Sequence, residues 1–381
     1  MAKLSYEALK SFVASVVTSA KVSDPSFTIS RDNTAGLLDK IGKIVTLDSA
    51  YQIDKLAIFD GEYLSFGKTI EEWQEDLIMV KATDTDGANA LAPHRPTYRP
   101  AFYSYTIGKH QVATTIDYND LERAVHFEEQ YVSLISMKYK RLEDSMAVYR
   151  YGLKREMIAR FYDIATDETG ALTVSSLGGT TTFSSAVAVC GLVKVTGVSG
   201  ISNDYKGKYV CVVAQTTSDK VKDAIDGGKL IKLDLVSEIA KPVDTSTGEA
   251  FIKALKSYVE KASDISEGNS INGNSLGASE GLVLIVKQGV LPSLEVDTWA
   301  GAFHQEMVSL PAETIVVKDF GNADSKVYAM LVDRRAMRLH PTFNGTYENL
   351  NGEGAFLNVF RHTENSAWIS RNAFVHFFKE S

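Results

Sequence analysis

Gly273-Asn274-Ser275-Leu276-Gly277 matches the G-x-S-x-G pattern that presents a nucleophilic serine. That chemistry needs a strand just before the serine and a helix just after it, so that the hydroxyl stands on a sharp turn. Here an Asn/Ser/Gly stretch precedes Ser275, and the apolar run from Gly281 that follows reads as a strand. No nucleophile elbow is expected. Asp84-Thr85-Asp86-Gly87 opens like a calcium loop, but that loop wants glycine sixth and glutamate twelfth, and Asn89 and Arg95 stand there. The segment reads as a turn at a loop tip.

The other chemical candidates are equally bare. His94, His110, His126, His304, His340, His362 and His376 are scattered and make no H-E-x-x-H or other ligand spacing, so each is expected to be a surface or satisfied structural residue. Cys190 and Cys211 are too few for a disulfide framework or a four-cysteine zinc site. Both lie in Val-rich stretches, where a thiol behaves as a small hydrophobe, and the usage suits a reducing cytoplasm. Gly352-Glu353-Gly354 lacks the third glycine of a dinucleotide loop, there is no G-x-x-x-x-G-K-[ST], and Asn344-Gly345-Thr346 is a lone sequon. Asp333-Arg334-Arg335 with Arg338 reads as structural ion pairing. The sequence assigns no catalytic residue, no metal and no cofactor.

What remains is architecture. The 381 residues are 44% hydrophobic and 10% aromatic, enough for a substantial core, and 23% charged, which excludes compositional disorder. Forty basic against 48 acidic residues leave a net charge of −8, which opposes a general nucleic-acid binder. Apolar runs such as residues 209–214 and 281–286 are far too short to span a membrane. Near the start, Leu9, Phe12, Val13, Val16, Val17 and Ala20 fall at helical spacing, while Ser11 and Ser15 interrupt any continuous apolar run. This predicts an amphipathic docking helix, not a signal peptide.

Residues 23–50 read as an extended arm. Residues 61–116 read as a two-limbed β excursion, with turn chemistry at 83–89 and three prolines in 93–100. Such an arm cannot bury its own apolar face and needs a neighbouring surface. A long helix is expected over 117–163, with Asp117 as N-cap and Ile135, Tyr139, Leu142, Met146, Tyr149, Leu153 and Met157 on one stripe. Its second half is basic, and reads as a solvated face or an inter-subunit pairing surface. Residues 182–333 alternate strands (209–214, 281–286, 314–317, 327–332) with short helices (249–261), and the polar stretch 266–275 is expected to be a mobile surface loop. Aromatic-rich strands fill 335–378. No internal repeat is visible.

This order resembles the major capsid proteins of tailed bacteriophages, with the HK-ninety-seven-like (Johnson) fold. The residues that carry the likeness, closest to short-tailed phi-twenty-nine-type phages, are Gly67-Lys68-Thr69-Ile70-Glu71-Glu72 in the ascending limb and Arg99-Pro100-Ala101-Phe102-Tyr103-Ser104-Tyr105-Thr106-Ile107 in the descending one, followed by the long helix. The resemblance implies an α+β chain with an N-terminal arm (1–60), an E-loop (61–116), a peripheral domain with a spine helix (117–181), an axial domain (182–334) and a return to the peripheral domain (335–381). It implies self-assembly into an icosahedral or prolate shell of pentamers and hexamers around double-stranded DNA, held without sequence-specific binding. A separate scaffolding protein, a portal protein, assembly in the host bacterial cytoplasm and residence in the virion are implied as well, with no membrane role. Trp73, Arg95, Tyr98, Arg99 and Phe102 are the candidate inter-subunit contacts, since aromatics and arginine are enriched in interface cores; ordinary packing within the arm is the alternative. Two other functional readings stay open: an encapsulin-type shell, and an α/β serine hydrolase using Ser275.

Overall fold

The computed structural model describes residues 54–75, 98–101, 104–117, 128–166, 172–174, 182–183, 189–212, 214, 220–275, 277–278, 281–293, 312–321 and 326–380. In chain order these form β1 (Glu72–Glu75), β2 (Tyr98–Ala101), β3 (Ser104–Asp117), α1 (Glu128–Thr166), β4 (Leu172–Val174), β5 (Leu192–Val195), β6 (Tyr209–Val212), α2 (Val221–Asp226), β7 (Leu230–Lys232), β8 (Val236–Glu238), α3 (Thr245–Ala262), β9 (Ser266–Ser270), β10 (Gly273–Ser275), β11 (Leu282–Lys287), β12 (Glu313–Val317), β13 (Val327–Asp333), β14 (Met337–Asn351), β15 (Phe356–Ile369) and β16 (Val375–Lys379). The mixed α+β class is as expected. The N-terminal amphipathic helix, the arm over 23–50 and the turn at 83–89 lie outside the described residues.

In the main sheet, ordered β12-β11-β13-β16-β8, the inner strands β11, β13 and β16 are buried on both faces. Every residue of β13 is buried, and alternation splits them between two cores. Val327, Met330 and Val332 join Leu153, Met157, Ile158, Phe161 and Tyr162 of α1, whereas Tyr328, Ala329 and Leu331 join Phe251 and Leu255 of α3. A strand buried on both faces must be apolar throughout, which is why residues 327–332 show no polar alternation. The α3 helix starts from a capping box: the Asp244 side chain accepts from the Thr247 N–H at 2.8 Å, and the Thr247 hydroxyl accepts from the Asp244 N–H at 3.1 Å. A smaller core joins β5, β6 and α2 through Val193, Val195, Val210, Val212, Val221 and Ala224.

Two further sheets belong to the excursion. Antiparallel β1 and β2 pair Glu72 with Ala101, Trp73 with Pro100, Gln74 with Arg99 and Glu75 with Tyr98. β3 leaves this ribbon to edge the three-stranded sheet β14-β15-β3. This corrects the expected helix start: Asp117 ends a strand and is no N-cap, because the β-branched Thr114, Thr115 and Ile116 favour the pleat. Residues 114–117, 128–141 and 348–359 form a unit of their own, in which the Thr115 hydroxyl donates to Asn358 Oδ1 at 2.8 Å and Lys138 Nζ to the Thr115 carbonyl at 3.0 Å. No described helix is long and apolar enough to cross a membrane.

Two more expectations fail for physical reasons. The polar stretch 266–275 is no surface loop but the hairpin β9–β10, with Asn269, Ser270, Ile271 and Asn272 at most 1% exposed. Several of its polar groups find distant partners: Asn269 Nδ2 donates to the Asp234 carbonyl at 2.8 Å, the Asn272 N–H to the Arg371 carbonyl at 3.0 Å, and the Asp234 N–H to the Gly268 carbonyl at 2.7 Å. Gly268 has φ +81°, and a Cβ there would collide with the Lys232 carbonyl oxygen. Of the cysteines, Cys211 is a buried small hydrophobe as expected, but Cys190 sits partly exposed in a turn at φ 67°.

Part of the basic half of α1 is used inside the chain, while Lys140, Arg141 and Arg160 stay exposed. Lys154 is 1% exposed and binds Asp54 Oδ2 at 2.5 Å and Asp60 Oδ1 at 2.7 Å; Arg150 binds Asp60 at 3.0 Å and Arg155 binds Asp319 at 3.0 Å. Arg160 lies over the Tyr105 ring, 4.4 Å from its centroid. Removing both acids strands a buried ammonium, whereas removing the lysine leaves two partly exposed carboxylates. The double variant Asp54→Asn/Asp60→Asn is therefore expected to lose about 3–5 kcal/mol in denaturant unfolding, and Lys154→Met less; equal losses would contradict this account.

Candidate functional site

The segment from Gly61 to β1 is pinned by a series of hydrogen bonds while its aromatic side chains stay exposed. The Gly61 N–H donates to the Leu339 carbonyl at 2.9 Å and the Leu64 N–H to the Pro341 carbonyl at 3.0 Å. Lys68 Nζ meets Glu364 Oε1 at 2.5 Å, and the Ser366 hydroxyl donates to the Lys68 carbonyl at 2.6 Å. The Ile70 N–H donates to Ser104 Oγ at 3.1 Å, and the Ser370 hydroxyl donates to Glu72 Oε1 at 2.6 Å. These bonds fix the backbone, yet Tyr63 is 55%, Phe66 95% and Trp73 62% exposed. The Trp73 indole N–H is held by Glu71 Oε2 at 3.2 Å, so the ring stays outward. Three exposed aromatics on a pinned segment have little conformational freedom left to lose.

Of the expected contact residues, Trp73 is exposed at the start of β1. Tyr98 and Arg99 lie across from Glu75 and Gln74 in the ribbon, and Arg95 and Phe102 lie outside the described residues. Ser275 ends a strand in the buried hairpin, and no helix follows it among the described residues before β11. It lines a cavity of about 380 Å³ with Glu72, Trp73, Asp333 and Arg335, and no described histidine lines that cavity. The Arg334 cluster pairs internally as expected: Arg335 with Asp333 at 3.1 Å, and Arg334 with Glu313 at 2.5 Å.

Sequence reasoning missed a second constellation, beside an open cleft of about 700 Å³ lined by residues including Asp234, Ser237 and Tyr258. His376, on β16, contacts the Asp234 carbonyl through Nδ1 and the Ser237 hydroxyl through Nε2, both at 2.9 Å. The Tyr258 hydroxyl lies 2.9 Å from Ser237 Oγ and donates to Asp234 Oδ1 at 3.0 Å, and Lys261 Nζ meets Asp234 Oδ2 at 2.8 Å. Tyr258 stacks on His376, with centroids 3.5 Å apart. The one available signal was a histidine inside the apolar run Val375-His376-Phe377-Phe378, which must be satisfied if buried.

A serine within reach of an imidazole has the outline of a nucleophile and its base. Its electrostatics are unsuited to that work. Burial pushes the His376 imidazole down to about 4, against the favourable pull of Asp234, so it is a weak base near neutral pH. Burial pushes the Tyr258 phenol up to about 12. At Asp234 burial works upward, but the Lys261 hydrogen bond and the nearby His376 outweigh it and leave the carboxyl below its usual range. The constellation clamps α3 to β8 and β16. An unfolded histidine takes its proton near 6.5, so between there and about 4 the unfolded chain binds more protons. Stability is therefore expected to fall on the order of 3 kcal/mol as pH drops across that window. His376→Gln should flatten this slope in denaturant unfolding at graded pH; an unchanged slope would place the acid sensitivity elsewhere.

The sequence matches the family described as Phi29-like phage major capsid protein over residues 16–379. No curated protein matches it. Among solved structures, a chain in that of the head fiber and inner core protein gp22 of bacteriophage P68 is similar at a TM-score of 0.54 and 11% identity, over 89% of this chain and 88% of that one. The capsid structure of Staphylococcus phage Andhra gives 0.54 at 10% identity over 89% and 88%. The capsid structure of Cyanophage P-SCSP1u gives 0.50 at 11% identity over 93% and 99%. The shared architecture is the HK-ninety-seven-like fold.

Proposed function

The chain belongs to the Phi29-like phage major capsid protein family, and we propose that its copies close into a shell of pentamers and hexamers, icosahedral or prolate, around double-stranded DNA. The observation that carries this reading is the pinned, outward aromatic edge of Tyr63, Phe66 and Trp73. Exposed aromatics on a fixed backbone cost solvation in a monomer and gain it back against a neighbour. In family terms residues 1–60 are the N-terminal arm, 61–116 the E-loop, 117–181 the peripheral domain with α1 as spine helix, 182–334 the axial domain and 335–381 the return to the peripheral domain. Trp73, Arg95, Tyr98, Arg99 and Phe102 are the contacts we assign to the E-loop.

A net charge of −8 gives a wall that encloses DNA without gripping it. A separate scaffolding protein and a portal protein are the expected helpers, and assembly takes place in the bacterial cytoplasm. The family match favours the phage shell over an encapsulin or a hydrolase using Ser275.

Purified chain supplied with its scaffolding partner should form closed particles in negative stain, and a chain that sediments only as monomer would sink the proposal. Trp73→Ser should leave the unfolding free energy of the unassembled chain within about 0.5 kcal/mol, as exposed substitutions do. The same variant should cut particle yield at least tenfold; undiminished yield would remove Trp73 from the interface.

A further inference from the structure

The main sheet ends at β8, and no described strand pairs with its outer edge. In the parallel pair with β16, the Phe377 N–H bonds the Leu235 carbonyl at 2.7 Å and the Ile239 N–H bonds the Lys379 carbonyl at 2.9 Å. Backbone groups alternate along a strand, so those of Val236 and Glu238 point the other way. They face the cleft of about 700 Å³, whose lining includes Tyr162, Ala165 and Thr166 from the last turns of α1, and Lys194, Lys208 and Lys379. An open edge is a template for another strand, and proteins ordinarily shorten, charge or cover it. Here the edge lies in an open groove whose lining carries Lys194, Lys208 and Lys379 alongside Asp234 and Glu238. Of its two acids, Asp234 is already paired with Lys261 and accepts a hydrogen bond from Tyr258.

We propose that residues 23–30 of a second copy, Ser-Asp-Pro-Ser-Phe-Thr-Ile-Ser, add to β8 as a further strand in this groove, an inference that rests on the shell reading above. Within residues 1–53, which precede the described chain, this is a lysine- and arginine-free run that alternates apolar and small polar residues. Phe27 and Ile29 would share the face of Val236, over the end of α1, and Asp24 would meet the groove's lysines. The strand supplies N–H and C=O partners for Val236 and Glu238, and the alternating side chains set its register. Val236 already packs on the α1 core, so the added apolar face continues an existing one.

Two measurements on assembled particles of the full chain test this. Hydrogen exchange over residues 233–240 should slow at least tenfold between unassembled chain and particle. In particles carrying Glu238→Cys with a single cysteine at each of residues 26–30 in turn, oxidation should link different chains at one or two of those positions, and Glu238→Cys alone should not. Disulfide reach requires Cα atoms within about 7 Å, so only the added strand satisfies it. Unchanged exchange in well-formed particles would overturn the edge proposal and leave the shell intact. Protection without any link assigns the groove to another occupant, such as the scaffolding partner, and links only within one chain assign it to the same copy; either overturns the occupant named here. Failure to form any particle overturns the shell reading and this inference with it.

Discussion

An ammonium cannot be left unpaired in a packed interior, and Lys154 is buried in the middle of α1. It therefore dictates where Asp54 and Asp60 must lie, and with them the short turn over residues 54–60. Leu56 and Phe59 are carried into the α1 core by the same turn, and the Ile58 carbonyl is met by Arg338 Nη1 at 2.8 Å. From that anchor the chain runs to Leu339 and Pro341, then to Glu364, Ser366 and Ser370, before entering β1. The outward aromatic edge is the far end of this series of bonds. A buried pair is a poor source of net stability but a strict specifier of geometry, because only one arrangement satisfies it.

What the sequence made legible was whatever depended on local periodicity. The stripe from Leu142 to Met157, the helix from Thr245 to Ala262 and the apolar strands at 282–287 and 327–333 all follow from neighbours within a few positions. What stayed hidden depended on partners far along the chain. Residues 266–275 look like a loop because Asn and Ser are hydrophilic, yet their partners lie at Asp234 and Arg371. Lys154 looks like a solvated helix position until Asp54 and Asp60 arrive. The exposed aromatic edge was half visible: Trp73 could be named from its residue type, but Tyr63 and Phe66 stand out only through the bonds that pin the segment around them.

The Ser237–His376 pair shows why geometry alone is a poor witness to chemistry. Its distances suit proton transfer, and its burial removes the basicity that transfer would need. The same low-dielectric setting that disables the imidazole strengthens the hydrogen bonds that lock α3 against the sheet. At 10–11% identity to chains of similar fold, the architecture evidently survives wholesale replacement of side chains, provided volume and polarity keep their places.

The strand order of the main sheet also has a temporal side. β16 lies between β13 and β8, and its Phe377 and Phe378 complete the two cores on either face. During synthesis β8 and β13 leave the ribosome well before residues 375–379, and until those residues appear the sheet keeps a gap with two raw edges. The interior therefore cannot consolidate around a partial chain, and a truncated product exposes sticky strands instead of joining a growing wall. Translation itself thus acts as an inspection step: only a chain read through β16 has the finished sheet to offer its neighbours.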